Sequence, residues 1–243
     1  MKGLIHYFFA TYVRTHRYVP PVSLFIMMLI INYTYVPNPI MDSYSFTALL
    51  LFFIMGWVTI TIVHAEDEGQ KQITLMHTKN KRNYYYALII NCMVVGLFLS
   101  MIAVAYPLMM NAFTSELHLI HIVCGFLAHF SLATLSLALS IFFTRELVKS
   151  NINSWWGVIS ILVITLVLAG AKGDILKIKL INWLVPPLRR SFEIMGVGDD
   201  ISSIPPQVYG PNSLANSPIT FDTVCAWMIW NSSLLYFLMI SSA

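Results

Sequence analysis

From residue 84 to residue 110 the chain runs without a single Asp, Glu, Lys or Arg, and this is one of several such runs. A segment of that length has few options. Coiled as a helix at 1.5 Å per residue it exceeds the roughly 30 Å hydrocarbon thickness of a bilayer. Comparable uncharged runs occupy residues 18–36, 44–64, 117–144 and 155–171, and residues 221–240 form a further apolar run with Asp222 as its one charge. The charges that remain are confined to short clusters between them. Only 10% of the 243 residues are charged and 58% are hydrophobic, against about 25% charged in a soluble domain. The pattern predicts an all-α, polytopic membrane protein: a single transmembrane domain of about six spans.

Residues 1–17 are too short and too charged to span. On a helical wheel Leu4, Ile5, Phe8 and Tyr12 fall on one side, and Lys2, His6, Arg14 and Arg17 on the other. That pattern predicts an interfacial amphipathic helix lying on the membrane surface. No cleavable-signal pattern is read here, because Pro20 and Pro21 precede the first apolar run and no small-residue site follows it.

Lys and Arg set the expected orientation. The N-terminal segment carries Lys2, Arg14 and Arg17; the loop over 65–83 carries Lys71, Lys79, Lys81 and Arg82; the loop after the fourth run carries Arg145 and Lys149. The loops after the first and third runs carry none. By the positive-inside rule the N-terminus and the 65–83 loop face the cytoplasm. Residues 172–220 break the alternation, with Lys172, Lys177, Lys179, Arg189 and Arg190 in a region that six spans put outside. Within it, 175–185 is apolar, too short to span, and ended by Pro186 and Pro187, the profile of a partly re-entrant half-helix before the last span. A count of five or seven spans stays open.

The net charge of +3 reflects loops held against anionic lipid, and no basic patch interleaved with aromatics points to nucleic acid. The three cysteines, Cys92, Cys124 and Cys225, each stand alone inside an apolar run, as small buried residues do. His118 and His121 sit three apart near Glu116, with His129 further on, but four ligands of defined spacing are wanted for a structural metal and none is assigned. The intramembrane serines 100, 131, 136 and 140 lack a partnered Gly-x-Ser setting and suit helix packing. No catalytic residue is assigned.

The 65–83 loop is the most informative segment. Glu66, Asp67 and Glu68 open it, Gln70 and Gln72 follow, Leu75 and Met76 come next, and His77, Lys79, Lys81 and Arg82 close it. Acids first and bases last suit a short helix, each charge opposing the nearer end of the macrodipole. Such a helix between two spans is either a handle for a cytoplasmic partner or an ordinary solvated loop.

The order of parts resembles an ABC-2-type exporter permease: elbow helix, two spans, a charged cytoplasmic coupling helix, four more spans. The stretch EDEGQKQITLMHTKNKRNYYYALII resembles the coupling region of small Gram-positive permeases serving bacteriocin, lantibiotic or toxin-peptide systems. There an acidic, Gln-containing helix leads into an L-x-x-S/T-K linker and a Tyr-rich third span; here Leu75, His77, Thr78 and Lys79 stand in the linker. The resemblance implies a multi-pass protein of the bacterial cytoplasmic membrane that exports an amphipathic or hydrophobic peptide. It implies that ATP and Mg are bound by separate ABC ATPase subunits, consistent with the lack of a GxxxxGK[ST] loop in the sequence. It also implies a second permease copy or a related permease as partner, and assigns ATPase coupling to Glu66, Asp67, Glu68, Gln70, Gln72, Leu75, Met76 and His77. Two other readings stay open: a non-transporting membrane scaffold or sensor subunit, and an intramembrane enzyme.

Overall fold

A computed structural model describes residues 2–78, 81–114, 116–141 and 151–170. The expected 172–220 region and the 221–240 span lie outside the described residues, as does Cys225. Within them the chain is all-helical, with seven α-helices and no strand beyond one isolated bridge between Asn38 and Phe113. They are α1 Lys2–Arg14, α2 Val19–Asn32, α3 Ile40–Val63, α4 Glu68–His77, α5 Lys81–Met109, α6 Leu119–Ile141 and α7 Asn151–Gly170.

Among the described residues three helices are long and apolar enough to cross a membrane: α3, α5 and the His121–Ile141 part of α6. At 24 residues α3 reaches about 36 Å, and at 29 residues α5 reaches about 43 Å. This makes the chain a membrane protein. The apolar helix α2 has 14 residues, or about 21 Å, less than its apolar run suggests. Pro20 and Pro21 occupy its first turn, where a missing N–H costs nothing. Its other end closes at Tyr33, well before the apolar run stops at Val36. The helical apolar stretch of α7 is likewise short, Ile152–Val167.

Helix starts differ from the apolar runs in a consistent way. α3 begins at Ile40 rather than residue 44, because Pro39 ends the turn in extended conformation and Asp42 suits the positive end of the helix. α5 begins at Lys81 rather than at the tyrosines. Pro107 does not stop α5, which ends two residues later and closes through Asn111 in a left-handed conformation (φ 48°). The loops beyond α2 and α5 are tied together: Asn38 N–H donates to the Ala112 carbonyl (2.9 Å) and Thr114 N–H to the Asn38 carbonyl (3.0 Å).

α3 is the hub, packed on α2, α5, α6 and α7. Its side chains Leu51, Phe52, Met55 and Val58 are almost wholly buried. The approach of α6 to α3 depends on Gly125, where a Cβ would lie 2.9 Å from the Tyr44 ring; small residues at such crossings let helices close on each other. The buried hydroxyls of Ser100, Ser131 and Ser140 donate to carbonyls of their own helix at 2.7–3.0 Å, which places their hydrogens in an apolar interior. The outer surface carries Ile26, Ile30, Phe46, Val94, Phe98, Ile159 and Val163, all exposed, an apolar belt suited to lipid. Met27, Met101, Met109 and Met110 are on that exposed surface too.

Candidate functional site

The turn from α3 into α4 carries the polar residues singled out in the sequence. α4 opens after Asp67, with Glu68 in its first turn and His77 in its last, an arrangement favourable to the helix dipole. Its hydroxyls reinforce it from within: Thr78 donates to the Thr74 carbonyl (2.7 Å) and His77 Nδ1 donates to the Ile73 carbonyl (2.8 Å). No residue of α4 is fully buried.

Glu66 behaves differently from the residues after it. It precedes the helix and turns inward, only 4% exposed. One carboxylate oxygen accepts from the Tyr84 hydroxyl at 2.7 Å and the other from Thr74 Oγ1 at 3.3 Å. Tyr84 sits at the start of α5, itself buried, with Phe8 of α1 edge-on to its ring at 5.0 Å. The Tyr7 phenol is pushed up from its usual range, first by burial and then by its hydrogen bond to Glu66. A single carboxylate thus gathers α1, α4 and α5 at the end of α3. Glu66, assigned to ATPase coupling with the residues of α4, lies before that helix and is held inside as a latch, because a buried carboxylate needs several donors. Leu75, from the same set, is half-buried against the main core.

The remaining coupling candidates, Asp67, Glu68, Gln70, Gln72, Met76 and His77, are exposed. Sequence reasoning missed Ile73, which is 59% exposed three residues before Met76 at 82%. That spacing puts two large apolar side chains together on one helix face. A run of Ile and Met on an otherwise polar helix was the available signal. Tyr84, eighteen positions from Glu66, offered no local signal.

The expected N-terminal helix is present as α1, but its apolar face is covered by protein. Phe8 and Tyr12 are buried, and Leu4 and Ile5 pack half-buried on the same core. Tyr12 OH pairs with Thr61 Oγ1 of α3 (3.0 Å), and Asn91 of α5 donates to the Ile5 carbonyl (3.2 Å). Burial pushes the Tyr12 phenol up to about 12. Arg17, expected to face solvent and headgroups, reaches the His64 carbonyl at the end of α3, while Arg14 is exposed. Exposed Tyr7, Phe9 and Val13 are the large apolar side chains α1 leaves uncovered. Between α1 and α4 lies an open groove of about 650 Å³ lined by Leu4, Tyr7, Ile73, Thr74 and His77 among others.

His118, His121 and Glu116 do not assemble a metal site, and among the described residues no group of three His, Cys, Asp or Glu side chains does. His121 Nδ1 accepts the His118 backbone N–H at 3.3 Å, a bond within its own turn. His129 is fully buried, its Nδ1 donating to the Gly125 carbonyl (2.6 Å) and its Nε2 beside Thr47 Oγ1 (2.9 Å).

Compared with models of known protein families, with curated proteins and with solved structures, the chain matches none.

Proposed function

We propose that this chain is the membrane-spanning permease subunit of an ABC-2-type exporter, moving an amphipathic or hydrophobic peptide with energy from separate ATPase subunits. In this reading α1 is the elbow helix, the chain completes about six spans with a partly re-entrant outer region, and two permeases pair in the bacterial cytoplasmic membrane. The observation that carries it is the build of α4. A short polar helix between two spans presents Ile73 and Met76 outward while Glu66 ties its base to α1 and α5.

Those two properties are what a transmission element needs. The exposed face offers acids, amides and an apolar pair to a partner, as interface cores do. The latched base makes a push on α4 a push on the ends of α3 and α5, so that spans move as rigid elements past one another. ATP closes the partner subunits; α4 carries that motion to the helices.

Affinity purification of the tagged chain from its native membrane in mild detergent tests this. A nucleotide-hydrolysing partner is expected with the wild type and lost with Glu68→Lys/Met76→Asp, changes on exposed positions that leave the latch intact. If no such partner appears, the exporter reading falls and the scaffold reading takes its place.

A further inference from the structure

The open groove of about 650 Å³ between α1 and α4 lies at one end of the bundle, and that end is electrically distinct. Every Lys and Arg among the described residues stands there: Lys2 and Arg14 on α1, Arg17 just after it, Lys71 on α4, and Lys81 and Arg82 in the first turn of α5. The opposite end, from Tyr33 to Asp42 and from Met109 to His118, has no Lys or Arg and carries Asp42 and Glu116.

The groove is also set at the depth of the membrane surface. α1 is drawn down beside α5: its Ile5 carbonyl accepts from Asn91, about 15 Å along that helix from Lys81. Phe9 and Val13 nevertheless stay exposed on α1. Apolar side chains at that depth meet lipid, so the groove opens where headgroups meet acyl chains.

Its lining suits that boundary. Leu4 and Ile73 form apolar walls, and Tyr7, Thr74, His77 and Asn83 add polar tips. Thr74 and His77 already place hydrogens on the Gln70 and Ile73 carbonyls. The donors left to a ligand are the Asn83 amide and two flanking ammonium groups, Lys2 beside Gly3 of the lining and Lys81 two residues before Asn83. No acid stands in the first turn of α1 or of α5. Glu66, which touches Thr74 of the lining, is 4% exposed, with both oxygens accepting hydrogen bonds.

We propose that this groove holds the headgroup of one anionic phospholipid, its phosphodiester met by Lys2, Lys81 and Asn83 and the root of its acyl chains by Leu4 and Ile73. Basic pockets between membrane helices recognise such headgroups. A free phosphate would leave the apolar walls uncovered, and a zwitterionic lipid would bring its own cation to the lysines. Gly3 keeps the groove open, since nothing lies within 4 Å of where its Cβ would be. The site does not depend on which partner meets Met76 on the exposed face of α4.

Native mass spectrometry of the full-length protein in mild detergent tests the site, with phosphatidylglycerol, phosphatidylcholine of the same acyl chains and water-soluble glycerol 3-phosphate as probes. Each lysine is expected to contribute about fivefold in affinity, so phosphatidylglycerol binds about 30-fold more tightly than phosphatidylcholine. Lys2→Gln/Lys81→Gln is expected to remove that preference. Gly3→Leu fills the groove without altering charge and is expected to expel the lipid. Arg14→Gln, the same loss of charge at the other end of α1, is expected to keep it. The proposal is wrong if Gly3→Leu retains the lipid, if Arg14→Gln weakens it as much as Lys2→Gln does, or if glycerol 3-phosphate binds as tightly as phosphatidylglycerol.

Discussion

The Glu66 carboxylate accepts a 2.7 Å hydrogen bond from the Tyr84 hydroxyl, and both residues are almost completely buried. This contact joins the chain just before α4 to the beginning of α5, across the whole of the intervening polar helix. A hydrogen bond to a buried charge contributes about 1.5–3 kcal/mol, and removing its donor leaves the carboxylate short of a partner. Tyr84→Phe is therefore expected to destabilise the protein by about that amount, read as a lower thermal midpoint in detergent. Tyr86→Phe, half-buried two positions further along α5, serves as the control for a generic loss of a hydroxyl in this part of the chain.

The anchoring of α1 gives a pH prediction. The Tyr12 phenol, raised to about 12 in the folded protein by burial, titrates near 10 when unfolded. A folded pKa above the unfolded one means the native state holds its proton more tightly. The resulting stabilisation is complete below pH ~10 and is lost as pH rises towards about 12. Alkaline titration followed by phenolate absorbance should therefore show one late-ionising tyrosine fewer in Tyr12→Phe than in the wild type. The same variant loses the hydrogen bond to Thr61 and is expected to cost about 0.5–1.5 kcal/mol at neutral pH.

Gly125 sets the distance between α3 and α6. A Cβ there would come within 2.9 Å of the Tyr44 ring, closer than real contacts allow. Gly125→Ala is expected to destabilise by about 1–3 kcal/mol through overpacking. Gly69→Ala, on α4 with nothing within 4 Å of the added atom, is expected to leave the thermal midpoint unchanged or slightly raised. Parallel melts of the two variants check the contrast.

Much of this architecture is legible in residue order alone. The uncharged runs give α3, α5 and α6 because a segment with no charges has only its own backbone to satisfy its hydrogen bonds in an apolar medium. The helical wheel of α1 correctly separates Phe8 and Tyr12 from Arg14. What the wheel cannot say is what covers the apolar face: the same stripe fits a bilayer surface or a neighbouring helix, and here α3 and α5 take it. Glu66 fails for a related reason. Read locally it is the first of three acids opening a helix, and only the fold brings Tyr84 and Tyr7 to it. Ile73 was overlooked because one apolar residue in a polar helix reads as noise until Met76 is seen on the same face.

The coupling assignment is tested most directly by placing a photo-crosslinking amino acid at Met76, on the exposed face of α4, and at Met109, exposed at the far end of α5. Illumination in native membranes is expected to join position 76, but not position 109, to a nucleotide-hydrolysing subunit. A probe at position 76 that captures no such subunit, or captures it no better than the probe at 109, would contradict the role given to α4.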